Sequence, residues 1–205
     1  MSAFAHQMRL KLVFCTLIAL GIPAAIFAQS AQSENSSGLR NAVILIIRHA
    51  EKADDGHGLS PSGVARAKVY ASYFKNFTVD GLAVKLDDIF VSKDSRISHR
   101  PRLTIEPTAE ELGLKINDRF KNNQFNELVN EIKSQPHGAN ILVVWHHGNI
   151  PGLLRALGAD PKTLLPNGKW PGHVYDWLLE LRYDENGHLL ESKRIKSFGH
   201  AEMNG

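Results

Sequence analysis

The chain has 205 residues, 43% of them apolar and 22% charged, with a formal charge of +3, a pI of about 9.0 and one cysteine. So thin a charge excess, with no basic stripe carrying interleaved aromatics, gives a nucleic acid little to hold. The lone Cys15 excludes a disulfide framework, and its position removes thiol chemistry and a thiolate metal site from the rest of the chain.

Taken in chain order, the first element is a leader. Arg9 and Lys11 precede an apolar run from Leu12 to Ala28, broken by Gly21 and Pro23. A short basic region, an apolar core and small residues at the end describe a secretory signal peptide, residues 1–28, with cleavage expected after Ala28. The competing reading is an uncleaved anchor, because the run approaches the roughly 20 residues that span a bilayer. Gly21, Pro23 and the polar stretch behind them favour cleavage, hence an exported protein, periplasmic or secreted, with no stable membrane insertion. Residues 29–40 read as a disordered linker, 41–199 as one domain and 200–205 as a tail. Loss of Arg9 and Lys11 with the leader brings the charge from +3 to +1.

Residues 42–48 are a continuous apolar run ending in Arg48 and His49, the pattern of a strand covered on both faces. "LSPSGVARAKVYASYF" opens a helix, with Ser60 as cap and Pro61 in the first position. Val64, Ala67, Tyr70, Ala71 and Phe74 recur on one face of it. "LDDIFVS" (86–92) is a second short strand. "TIEPTAEELGL" (104–114) holds a helix expected to start at Pro107 and stop at Gly113. An amphipathic helix follows over 124–134, then a buried strand, Ile141 to Trp145, delivering His146 and His147. "NIPGLLRALG" is a helix closed by Gly158, residues 159–173 are irregular, and "VYDWLLELRY" and "HLLESKRIK" pair as a hairpin. The whole is an α/β three-layer sandwich, a mostly parallel sheet flanked by helices, with a C-terminal antiparallel hairpin.

Ligands of such sheets sit beyond the carboxyl ends of the strands. Three strand ends deliver Arg48 and His49, His146 and His147, and, from "SRISHRPRLT", Arg96, His99, Arg100 and Arg102. Imidazoles and guanidiniums with few carboxylates describe an anion site, and arginine's planar fork suits phosphate oxygens. A guanidinium a few ångströms away opposes the charged imidazole by about 4 kcal/mol at an effective dielectric near 20. That is ample to keep the ring neutral and nucleophilic at pH 7. Such chemistry needs no metal and no cofactor. The adjacent His146 and His147 lack a metal-binding motif, and no glycine-rich nucleotide loop follows the first strand.

"IIRHAEK" with "LSPSGVARA", "SHRPRLTIEP" and "VVWHHGNIPGLLRALG" together resemble the histidine phosphatase superfamily (phosphoglycerate-mutase-like), in its small exported branch. The resemblance runs in order from residue 42 to about 196. It implies His49 as the nucleophile that becomes phosphohistidine and Arg48 as a phosphate ligand. Arg100 is the second phosphate arginine by its spacing to Thr104 and Ile105, with Arg96 as the alternative. For the second catalytic histidine, Pro151 points to His146, whereas Trp145 and the short "GNIP" point to His147, which is preferred. The family's proton donor has no clear match here; Glu51 and Asp118 are the candidates. The function implied is an exported phosphohydrolase cleaving phosphomonoesters or phosphohistidine, acting on a small phosphorylated substrate or a phosphoprotein. The alternative is a non-catalytic phosphate- or phosphoprotein-binding module on the same fold. Other histidines, and Trp170, Tyr175 and Trp177, read as surface, rim or core packing.

Overall fold

The computed structural model describes residues 38–54 and 56–197. The leader, most of the expected linker and the tail lie outside the described residues. Among the described residues no helix is long and apolar enough to cross a membrane. Leu39, inside the stretch expected as linker, is buried in the core.

Among the described residues, eight strands and five α-helices follow in this order: β1 (Val43–Arg48), α1 (Pro61–Lys75), β2 (Thr78–Val79), β3 (Leu82–Ala83), β4 (Asp88–Val91), α2 (Arg100–Leu112), β5 (Ile116–Asn117), α3 (Phe125–Lys133), β6 (Asn140–Trp145), α4 (Ile150–Ala156), α5 (Pro161–Leu164), β7 (Trp177–Tyr183) and β8 (Leu189–Lys196). Six strands form one sheet in the order β5-β4-β6-β1-β7-β8, and β2 and β3 form a separate short ribbon. The pairs β5–β4, β4–β6 and β6–β1 are parallel; β1–β7 and β7–β8 are antiparallel. The expected sandwich with its C-terminal hairpin is therefore observed.

The continuous apolar runs have the expected cause. β1 and β6 are central, and their side chains enter two cores, one on each face of the sheet. Ile44, Ile46, Val143 and Trp145 meet α3 and α4 on one face. Leu45, Ile47, Leu142 and Val144 meet Tyr70 and Phe74 of α1 and Ile105 of α2 on the other. A strand buried on both faces cannot alternate in polarity, so its pattern is a run.

Two local expectations change. Ser60 does cap α1, its Oγ accepting from the Gly63 amide at 3.1 Å, but Val64 is 44% exposed and the buried face is Gly63, Arg66, Ala67, Tyr70 and Phe74. At Gly63 a β-carbon would lie 2.4 Å from the Glu51 carbonyl oxygen, so the helix backs directly onto the loop after β1. The second change is α2, which begins at Arg100 rather than Pro107. Pro101 supplies the fixed φ of the first turn. Pro107 lies inside the helix, where it gives up one backbone bond while buried Ile105, Thr108 and Ala109 hold the segment in place. Gly113 does close the helix, in the left-handed conformation at φ 65°.

Candidate active site

The carboxyl ends of β1 and β6 lie side by side, because these strands pair in parallel with Arg48 opposite Trp145. The His49 amide continues the ladder, donating to the Trp145 carbonyl at 3.0 Å. The rings of His49 and His146 then meet edge to face, centroids 5.1 Å apart.

His49 is held by a short contact of its own. Its Nδ1 lies 2.7 Å from the Ala50 carbonyl oxygen, which only accepts, so Nδ1 carries the proton and Nε2 the lone pair. The next peptide is pinned as well: the Ala50 amide donates to the Thr104 hydroxyl oxygen at 2.8 Å, and that hydroxyl donates to the Arg100 carbonyl at 2.7 Å. Thr104 is fully buried, so one side chain ties the loop after β1 to the first turn of α2.

Burial holds the His49 imidazole down to about 3, with Arg48, His146 and Arg100 pushing in the same direction and the Ala50 contact opposing them. Desolvation is thus the larger cause, ahead of the arginine repulsion that the sequence alone suggests. His146 is held down to about 4 by burial, then by Arg100, His147 and Arg48. His147 is lowered too, first by burial and then by the two arginines. All three rings are neutral at pH 7.

Arg48 is 2% exposed, and its Nη1 faces the carbonyls of Gly172 (2.8 Å), Val174 (3.0 Å) and Pro171 (3.3 Å). Its face lies on the Tyr175 ring, 3.9 Å from the centre. Burial brings it down to about 10, so it remains charged. The loop 171–175 therefore clamps one edge of this guanidinium, and its Nε is buried without a protein partner. Arg100 donates through Nη1 to the Gly56 carbonyl and likewise has a buried Nε with no protein partner. Among the described residues neither of these charged Nε donors has an acceptor, and an anion beside the neutral imidazole would supply one.

The other expected members go elsewhere. Arg102 binds Asp94 and Glu106 at 2.9 Å each, His99 faces Asp94 at 3.0 Å, and Arg96 is exposed. Glu51 is taken up by Arg66, which donates to it through Nε (3.0 Å to each oxygen) and Nη2 (2.7 Å). Asp118 is exposed after β5. Of the two adjacent histidines, His146 presents its ring to His49. His147 lies against the loop at Gly172, with its Nδ1 buried and unpartnered.

The residue that sequence reasoning missed is Tyr175, read there as rim packing. Its only signal was its place after the proline-rich excursion, which gives no hint that the loop returns to Arg48.

A scan against protein-family models gives no match, and neither does a search of curated proteins. A search of solved structures finds chains of similar fold. One is a phosphoglycerate mutase from Plasmodium falciparum, at 16% identity and TM-score 0.49, covering 73% of this chain and 87% of that one. Another is a protein histidine phosphatase complexed with tungstate, at 21% identity and TM-score 0.43, covering 73% and 95%. A third is a phosphoserine phosphatase variant from Entamoeba histolytica in complex with phosphoserine, at 14% identity and TM-score 0.49, covering 74% and 96%. At such identities and scores the side chains, and not the likenesses, carry the chemistry.

Proposed function

We propose that this chain is an exported, metal-independent phosphohydrolase that cleaves phosphomonoesters or phosphohistidine through a phosphohistidine intermediate on His49. One observation carries the reading. The Nδ1 contact to Ala50 leaves the His49 Nε2 lone pair unprotonated, in a buried position flanked by guanidiniums with unmatched donors.

The substrate phosphoryl group binds Arg48 and Arg100. For a phosphomonoester, the His49 Nε2 lone pair forms a bond to phosphorus as the bond to the leaving oxygen breaks; for phosphohistidine the bond that breaks is the one to the ring nitrogen, which keeps the electron pair. In the ester the electron pair goes to the oxygen, which takes a proton from water. The arginines stabilise the equatorial oxygens as charge moves across them. Water then attacks phosphorus, the P–N bond breaks, its electrons return to Nε2, and inorganic phosphate leaves. His146, neutral and edge-on to His49, and His147 are the further imidazoles within the site's field; an N–H from either suits a phosphoryl oxygen.

No carboxylate among the described residues is seen beside the His49–His146 pair. Glu51 serves Arg66, and Asp118 faces solvent. General-acid help is worth roughly 10² to 10⁴ in rate, so the site favours leaving groups that need no enzyme acid, such as aryl oxides or an imidazole already protonated at its other ring nitrogen.

The experiment is hydrolysis of an aryl phosphate by the domain in excess EDTA, with trapping of the phosphoenzyme. Turnover that is lost in His49→Ala, and a labelled protein that is acid-labile and base-stable, are expected. Phosphate binding without turnover on a broad panel of phosphomonoesters would replace this reading with the non-catalytic binding module.

A further inference from the structure

A cavity of about 440 Å³ opens between the start of α3, the helices α4 and α5, and the turn Pro166–Gly168. Its size is that of a small-molecule site. None of Arg48, His49, Arg100, His146 and His147 lines it. Part of its wall is apolar, formed by Phe125 and Pro151. The Phe125 ring rests on the backbone of α4 at Gly152, where a β-carbon would lie 2.7 Å from its Cζ. Any larger residue at 152 would displace the ring from that seat.

The rest of the wall is cationic, with one charge from each of three segments: Arg155 on α4, Lys162 on α5 and Lys169 just after the turn. The backbone that carries the two lysines is tied down. The Lys162 amide donates to Asp160 Oδ1 at 2.9 Å, the Gly168 amide to the Leu165 carbonyl at 2.9 Å, and the Lys169 amide to the Pro166 carbonyl at 3.0 Å. The lysine stem at 162 lies over Gly168, whose β-carbon would meet its Cγ at 3.4 Å. Asp160 is the single carboxylate in the lining, and its Oδ1 already serves that amide. Among the described residues, no carboxylate lies within ion-pair reach of Arg155, Lys162 or Lys169.

We propose that this cavity is a binding site, distinct from the imidazole site, for a small organic molecule that carries two or three carboxylates on a planar apolar body. Three single cations on three separate segments match separate monoanionic groups better than one concentrated dianion. The fork of Arg155 suits a carboxylate edge to edge. A planar body covers the Phe125 ring and Pro151, removing apolar surface from water.

The test measures binding of benzene-1,3,5-tricarboxylate to the whole protein by calorimetry at low ionic strength, where such pairs are least screened. Two further ligands separate the contributions: the neutral benzene-1,3,5-tricarboxamide keeps the ring and loses the charge, and propane-1,2,3-tricarboxylate keeps the charge and loses the ring. The aromatic tricarboxylate should bind roughly tenfold more tightly than the tricarboxamide, the scale of three exposed ion pairs. It should bind about threefold more tightly than the propane compound, the scale of one aromatic contact. Arg155, Lys162 and Lys169 are exposed, so combining Arg155→Gln, Lys162→Gln and Lys169→Gln should keep the melting temperature and weaken tricarboxylate binding by roughly tenfold. If the triple variant melts lower, Lys162→Gln and Lys169→Gln taken singly should each weaken it about twofold. Arg100→Gln should leave the affinity unchanged. No binding, equal affinities for all three ligands, an affinity that survives the glutamines, or one lost in Arg100→Gln would overturn the proposal.

Discussion

The guanidinium of Arg48 lies 3.9 Å from the centre of the Tyr175 ring, while three carbonyls of the same loop surround its Nη1. Stacking and hydrogen bonding together fix the plane of the side chain, which sets where its other edge points. A cation over a partly buried aromatic face is worth about 1–2 kcal/mol. Tyr175→Phe keeps the face and should leave KM for an aryl phosphate within about twofold. Tyr175→Ala loosens Arg48 and should raise KM about fivefold to twentyfold, with a smaller fall in kcat. Steady-state kinetics on the two variants check this, and equal effects of Phe and Ala would show that the hydroxyl, not the ring face, matters.

The ring contact at 5.1 Å joins His49 to His146, although the sequence spacing prefers His147. His146→Ala should reduce kcat by roughly 10² or more, the scale of a lost donor at a transition state. His147→Ala should cost less than about tenfold. Parallel assays of the two alanine variants decide the matter, and a larger loss in His147→Ala would move the second catalytic role one residue along the chain.

Much of this architecture was legible because its signals are local. The runs at 43–48 and 141–145 are buried on both faces, so each read as a central strand, and their polar ends marked the same sheet edge. Ser60 and Pro61 announced α1 through cap chemistry. The start of α2 was hidden, because Pro107 imitates a helix beginning while Pro101 sits among arginines that read as loop. The strand Ile116–Asn117 is too short for periodicity to register. The partner of Glu51 was hidden for another reason: Arg66 is fifteen residues away and joined only by the fold.

That pair gives its own prediction. Arg66 is 3% exposed and bound by both Glu51 oxygens, so Glu51 neutralises a buried cation rather than donating protons to a leaving group. The pairing holds the Arg66 guanidinium above its ordinary range, against the opposing effect of burial. Glu51→Ala removes the two-oxygen partner of that buried cation, at a cost of about 3 kcal/mol. For a domain this size the melting temperature should fall by roughly 6–12 °C. Folded Glu51→Ala protein, assayed well below its melting temperature, should keep kcat for an aryl phosphate within about threefold. A hundredfold loss confined to poor leaving groups would instead identify Glu51 as the missing acid.

The neutral imidazoles make stability fall toward acid pH. His49 and His146 ionise near 6.5 when unfolded but only at about 3 and about 4 in the fold. Below pH 6.5 the unfolded chain therefore takes up protons that the native site refuses, and the equilibrium shifts toward unfolding. The loss begins near pH 6.5 and ends only once pH falls through the native values. At pH 5 each imidazole contributes a loss of roughly 2 kcal/mol relative to pH 7.5, from 1.36 kcal/mol per unit. Urea denaturation of wild type and His49→Gln at the two pH values measures it. The variant should lose about 2 kcal/mol less than wild type between pH 7.5 and 5, since glutamine does not titrate. Identical losses in both proteins would mean that His49 is not held neutral by burial, and the attacking lone pair at pH 7 would need another source.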